Sequence, residues 1–444
     1  MRNSITREFK GIFHLALPLI FNLLAYMAMQ VISTVMLGRL GPQALAAAAV
    51  GNVIYIIILV GCMGVLTAVG TLAAEAFGKK DQMKVQTISQ QGIWLAIFLS
   101  IPALLVVWNA HHILLAIHQP VEVVRGAKSL LHGLFWGFLP ELCFIGLREF
   151  STAISRPKIV MFISVGTIPV NIMLNYWFIY GGLGLPAMKI FGVGLATSIV
   201  CWLSFLVLAL YLSLHRNIYH YKILQFTLPH WNTLKRIVKL GLPVGTSFVV
   251  EELLFVIVAL LIGYFGVVAL AAHQIAIQCM YLFVMIPIGI AQAVAVKVSQ
   301  ARADPTRVSA FRVAYIAIGS GLGLAFITAC LFWFFPKFFV HFFLNVHIAQ
   351  NQPVLQLAVK LLAITAIFHI IDAGQLITNG ALRGFQDTLV PMFLGLISFW
   401  LMGIGSGYVF GFIYHYGAVG LWWGLALGIA SSAILLQLRL QTHK

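Results

Sequence analysis

The chain has 444 residues, 61% of them hydrophobic and only 9% charged; a soluble domain carries roughly 25% charged residues. That excludes a water-soluble globular protein and makes lipid the expected solvent, with room for about twelve helices of ~20–25 residues each. The formal net charge of +16 is not a nucleic-acid footprint, because the basic residues are scattered at the edges of apolar blocks instead of forming a basic domain.

Taken in chain order, the first apolar run extends from Ile12 to Leu37 behind Arg2, Arg7 and Lys10. It is too long for the core of a signal peptide and is read as a first span. Further spans are predicted near 45–76, 90–116, 129–154, 159–181 and 191–214. After the polar stretch from His215 to Lys239, a second set is predicted near 238–264, 270–298, 309–336, 356–381, 389–413 and 418–438. These runs are too long and too uniformly apolar for the alternating strands of a membrane barrel. The expected organisation is an all-α polytopic membrane protein: an N-terminal six-helix lobe over 1–214, a cytoplasmic linker over 215–237 and a C-terminal six-helix lobe over 238–444. Lys79, Lys80, Lys84, Arg148, Arg156, Lys158, Arg216, Lys222, Lys235, Arg236 and Lys239 all fall on the side of the N-terminus. The positive-inside rule therefore places both termini in the cytoplasm. The five cysteines lie inside apolar stretches with no CxxC pair, so they are read as small hydrophobes.

The two sets are copies of one pattern. Leu17-Pro18 recurs as Leu242-Pro243, and at the same offset Gly38, Gly41 and Ala44-Leu45-Ala46-Ala47 recur as Gly263, Gly266 and Ala269-Leu270-Ala271-Ala272. Gly194-Leu195 recurs as Gly420-Leu421, and Leu147-Arg148-x-Phe150 as Leu382-Arg383-x-Phe385. An even number of spans per copy makes the repeats parallel. Parallel repeats related by an axis along the membrane normal are a transporter architecture, with substrate held between halves that rock against each other.

Ionisable residues inside a span are costly and mark function. Of the 11 acids, four fall deep in predicted spans: Glu141, Glu251, Glu252 and Asp372. A carboxylate at that depth carries a proton or holds a cation, because desolvation disfavours the bare anion. Glu251 and Asp372 sit near the middle of their spans in the C-terminal half and are the candidate ion-coupling pair, with Na+ as a possible metal there. Glu252 is turned ~100° from Glu251 by helix geometry and is read as a supporting group. His369 stands one turn before Asp372, where the two side chains can meet. The repeat offset maps Glu251 onto Tyr26 and Asp372 roughly onto Gly137, so these acids are additions to the C-terminal half. Tyr26 and Gln30 in the first span, Asn175 in the fifth, and Gln278, Tyr281 and Met285 in the eighth are candidate cavity residues. Aromatic and methionine side chains there would suit organic cations.

The segment Leu242-Pro243 through Val249-Val250-Glu251 to Ala271-Ala272-His273-Gln274 resembles helices seven and eight of multidrug and toxic compound extrusion (MATE) transporters. So do Asp372-Ala373-x-Gln375 with Gly380-Ala381-Leu382-Arg383-Gly384-Phe385, and, in the first half, Arg148-x-Phe150 and the run from Asn175-Tyr176 to Gly192-Val193-Gly194-Leu195-Ala196-Thr197. The likeness covers nearly the whole chain and is greatest to the NorM branch. It implies a V-shaped pair of six-helix lobes, resident in a bacterial inner membrane as a monomer. Such a protein would antiport cationic drugs against Na+ or H+, with no other cofactor, no nucleic-acid partner and no catalytic residue. It also implies ion coupling at Glu251 and Asp372. One departure stands out: the family often has Asp before a Thr-Val-Met run in the first span, where this chain has Ser33 before Thr34-Val35-Met36. Glu141, in the same lobe, is the candidate to compensate.

The competing readings are a lipid-linked oligosaccharide flippase of the same superfamily and a polytopic membrane enzyme. The first would be expected to carry a basic cavity, yet Lys and Arg are nearly absent mid-span. The second has no metal-like histidine cluster and no nucleophile motif to support it.

Overall fold

In lipid the backbone has no partner but itself, and apolar runs of this length answer with helix. The computed structural model describes residues 2–182, 184, 186–216, 218–225, 227–303, 309–344 and 348–443. Among them twelve helices are long and apolar enough to cross a membrane, as expected. They are α1 (Arg2–Gly38), α2 (Pro42–Gly78), α3 (Gln82–Ala116), α4 (Val121–Ala153), α5 (Lys158–Tyr180) and α6 (Lys189–Leu214). After the linker come α7 (Trp231–Gly263), α8 (Val267–Ala303), α9 (Ala310–Phe334), α10 (Gln352–Gly384), α11 (Leu389–Ile413) and α12 (Gly417–Gln441). No strand is present among the described residues.

The helix ends follow local chemistry. α2 begins with Pro42, whose missing N–H is no loss in a first turn, after Gly41 at φ 112°. α3 is capped by the Asp81 carboxylate, which accepts from the Lys84 backbone N–H at 3.1 Å and pairs with the Lys84 ammonium at 2.7 Å. α11 departs from regular winding: residues 397–404 and 409–413 are wound as π-helix.

The chain packs as two compact units, and the cut runs through two helices. One unit holds residues 21–245; the other holds 1–20 together with 246–444. The first twenty residues of α1 thus belong with the second half of the chain, and the opening turns of α7 with the first half.

In the unit 21–245, α4 and α6 meet on glycine. A Cβ on Gly194 would lie 2.5 Å from the Leu130 carbonyl oxygen and 2.8 Å from the Gly133 Cα, so no side chain fits there. One turn along α4, a Cβ on Gly137 would lie 2.6 Å from the Ser198 Cα. The linker is fastened to α3. Gln90 donates to the Lys222 carbonyl at 2.8 Å, Trp94 to the Thr227 carbonyl at 2.8 Å, and the Gln91 side-chain oxygen accepts from the His230 N–H at 2.8 Å. Behind these bonds the Tyr221 phenol is buried, and desolvation raises its pKa above the ordinary value.

In the other unit, Leu254, Val258, Ala272, Phe332, Leu361, Phe368 and Trp422 form one apolar core from α7, α8, α9, α10 and α12. Ile20 of α1 seats against Gly289 of α8, where an added Cβ would fall 2.4 Å from the isoleucine side chain.

Candidate functional site

In the unit of 1–20 and 246–444, α7 carries Glu251 and Glu252, both half-buried, and α10 carries His369, Asp372 and Gln375, all buried. Asp372 is only 4% exposed, and its Oδ1 has no hydrogen-bond partner among the described residues. The side-chain oxygen of Gln375, three residues on, is also unpartnered, as are both ring nitrogens of His369. No hydrogen bond therefore joins His369 to Asp372 despite their one-turn spacing. Buried polar atoms are almost always satisfied, so several orphans on one helix call for a ligand, an ion or water.

Glu251 and Asp372 lie within each other's electrostatic reach. Two carboxylates in a low-dielectric setting disfavour each other's charged form, which favours a proton or a cation near them. Arg383 acts on Glu251 from further along α10, with its guanidinium 5.7 Å from the centre of the Phe248 ring. Glu252 interacts with Glu251 and with Tyr281. Tyr281 on α8 is half-buried and meets Phe255 edge-on at 6.4 Å, while Gln278 is exposed and Met285 half-buried on the same helix. Among the described residues there is no group of three His, Cys, Asp or Glu side chains that could hold a metal alone. A bound cation here would need backbone, amide or water oxygens besides the two carboxylates.

In the unit 21–245 the polar residues join α1 to α5. Asn22 accepts from Ser164 at 2.6 Å, Asn175 donates to Ser33 at 3.2 Å and to Asn171 at 2.9 Å, and Tyr180 donates to the Met36 carbonyl at 3.2 Å. Ser33 and Asn175 are thus brought together. Gln30 donates to the Tyr26 hydroxyl at 3.2 Å on a more open face of α1. Glu141 shares no hydrogen bond with the Ser33 group. It is buried on α4 and accepts from the Tyr55 hydroxyl of α2 at 2.5 Å.

A family model described as MatE matches residues 18–177 and 243–409, once in each half. The chain belongs to the MatE family. Its relatives include the probable multidrug resistance protein NorM of Pseudomonas aeruginosa, 38% identical over 97% of this chain and 88% of that protein. The multidrug resistance protein NorM of Burkholderia vietnamiensis is 34% identical over 98% of this chain and 94% of its own length. Among solved structures, a eukaryotic MATE transporter superposes with a TM-score of 0.88 at 20% identity, covering 98% of this chain and 96% of that one. An outward-facing multidrug resistance MATE transporter superposes at 0.86 and 18% identity over the same shares, 98% and 96%. At those identities the likeness speaks for the fold.

Three arrangements in this MatE protein escaped the sequence. His273, legible only as part of a motif, accepts the Trp422 indole N–H at 3.2 Å in the buried core. The linker staples on Gln90, Gln91 and Trp94 carried a weak signal, two adjacent amides opening an apolar span. Tyr55 carried none, since nothing along the chain relates it to Glu141. Asn171 was within reach of inference, standing four residues before Asn175 on one helix face.

Proposed function

We propose that this MatE protein is a multidrug efflux transporter that exports cationic or amphipathic organic compounds by exchange for an inward-moving Na+ or H+. Glu251 and Asp372 are the coupling carboxylates in this reading, and access to them alternates between the two faces of the membrane. The observation that carries it is Asp372: a membrane-buried carboxylate with an unpartnered oxygen, within reach of a second acid. The names of the NorM relatives support the drug substrate.

The physical logic is differential occupancy. A cation or proton entering between Glu251 and Asp372 removes their mutual repulsion, and only a site that holds it more tightly in one state than in the other shifts the equilibrium. Each charge moved down the membrane potential supplies about 2.3 kcal/mol per 100 mV. Gln375 and His369 add unpartnered polar atoms beside Asp372. Tyr281, Met285 and Gln278 in one unit, with Tyr26, Gln30 and Asn175 in the other, offer the soft and polar surface that an organic cation needs. The protein works as a monomer in a bacterial inner membrane with both termini in the cytoplasm, and no catalytic residue or other cofactor has a place in the scheme.

The test is substrate efflux from proteoliposomes under an imposed Na+ gradient and, separately, an imposed pH gradient. One gradient should drive efflux, and Glu251→Gln or Asp372→Asn should abolish it. Undiminished efflux in either variant removes that residue from the coupling site.

A further inference from the structure

We propose that the unit 21–245 carries a protonation site of its own at Glu141, hydrogen-bonded to Tyr55. The internal repeat aligns α4 with α10 and α1 with α7. Glu251 of α7 corresponds to Tyr26 of α1, and Asp372 of α10 corresponds roughly to Gly137 of α4. Position 137 cannot hold an acid, because a side chain there would run into the Ser198 backbone of α6. Glu141 stands one turn further along the same helix and acts electrostatically on Tyr26, as Glu251 does on Asp372. The first unit therefore repeats the arrangement of the second with the acid displaced by a turn and a phenol in place of the other carboxylate.

The chemistry selects a proton over a metal cation. Glu141 makes no ion pair among the described residues, and the hydrogen bond found for it is the one from Tyr55. Phe138 packs edge-on against Tyr55 at 5.6 Å, and Leu142 and Cys143 are buried beside it. A hard cation wants about six oxygen ligands, and this setting offers a carboxylate and a phenol. On protonation the carboxylate becomes a neutral acid, and Tyr55 still donates to its carbonyl oxygen. The ionisable groups acting on Glu141 are Tyr26 of α1, Tyr55 of α2, Cys201 of α6 and, along its own helix, Arg148.

The test is infrared difference spectroscopy of the reconstituted full chain between acid and alkaline pH. A protonated-carboxyl C=O band should be lost in Glu141→Gln and kept in the Glu251→Gln/Asp372→Asn double variant. In Tyr55→Phe it should move to higher frequency as the hydrogen bond disappears. A spectrum unchanged by Glu141→Gln overturns the proposal, and so does a Glu141 band removed by Na+ at constant pH. The band is independent of transport, so failure of the efflux reading leaves it standing. If a pH gradient drives efflux, Glu141→Gln should also lower the number of protons moved per substrate.

Discussion

Trp422 of α12 donates its indole N–H to Nδ1 of His273 on α8 at 3.2 Å, with both side chains buried. The imidazole must then carry its proton on Nε2. Trp422→Phe removes the donor together with part of the packed indole, leaving a buried acceptor unsatisfied and a small cavity. A loss of about 1–3 kcal/mol is expected, visible as a lower unfolding temperature in detergent, whereas an unchanged temperature would show that the bond contributes nothing net.

Glu251 and Asp372 share one field, so their neutral variants should not add. In the shift of unfolding temperature that pH or Na+ produces in detergent, the Glu251→Gln/Asp372→Asn double variant should lose no more than the worse single one. Additive losses would show that the two carboxylates act independently.

The contact of α4 with α6 leaves no room at Gly194. A Cβ placed 2.5 Å from the Leu130 carbonyl forces the helices apart, so Gly194→Val should cost about 1–3 kcal/mol or more as overpacking. Folded yield and thermal stability in detergent report it. Gly319 has nothing within 4 Å of its would-be Cβ, and Gly319→Ala should leave both unchanged.

The linker is held by side chains of α3, and Gln91 both accepts from the His230 N–H at 2.8 Å and donates to the Leu228 carbonyl at 3.4 Å. Gln91→Leu keeps the volume and removes both bonds, at about 1 kcal/mol each. Limited proteolysis of the intact protein should then cut faster between His215 and His230; equal rates would mean that Gln90 and Trp94 suffice.

The Asp81 cap should be sensitive to acid. Its hydrogen bond and ion pair with the Lys84 side chain, then the Lys84 backbone N–H, hold its pKa below the ordinary aspartate value. A group depressed in the folded state stabilises above its unfolded pKa and loses that contribution as pH falls toward the folded one. The stability gap between the parent and Asp81→Asn should therefore be full at neutral pH and close below the ordinary aspartate range. Because the carboxylate is half-exposed, salt should narrow it as well.

Most of the scaffold was legible because lipid permits few solutions. Long apolar runs had to be helices, and Leu17-Pro18 against Leu242-Pro243 exposed the duplication without any structure. The acids stood out for the same reason, since each is costly where it lies. What stayed hidden was how helices meet. His369 and Asp372 have the spacing of a bonded pair yet make no bond, because one turn of helix fixes Cβ proximity and leaves side-chain direction to the neighbours. Tyr55 and Glu141 are partners across 86 positions of chain, a distance that periodicity does not bridge. Nor does the linker mark the packing border. The cut at residues 20 and 245 lies inside α1 and α7, just beyond Pro18 and Pro243.

The packing of Ser198 against Gly137 also constrains descent. A carboxylate at 137 would make the first unit mirror the second more closely, but that single replacement is blocked by a residue on another helix. Any lineage moving toward such symmetry must first alter the α4–α6 seam, and only then can selection act on an acid at that place. The order of the changes is set before their benefit exists.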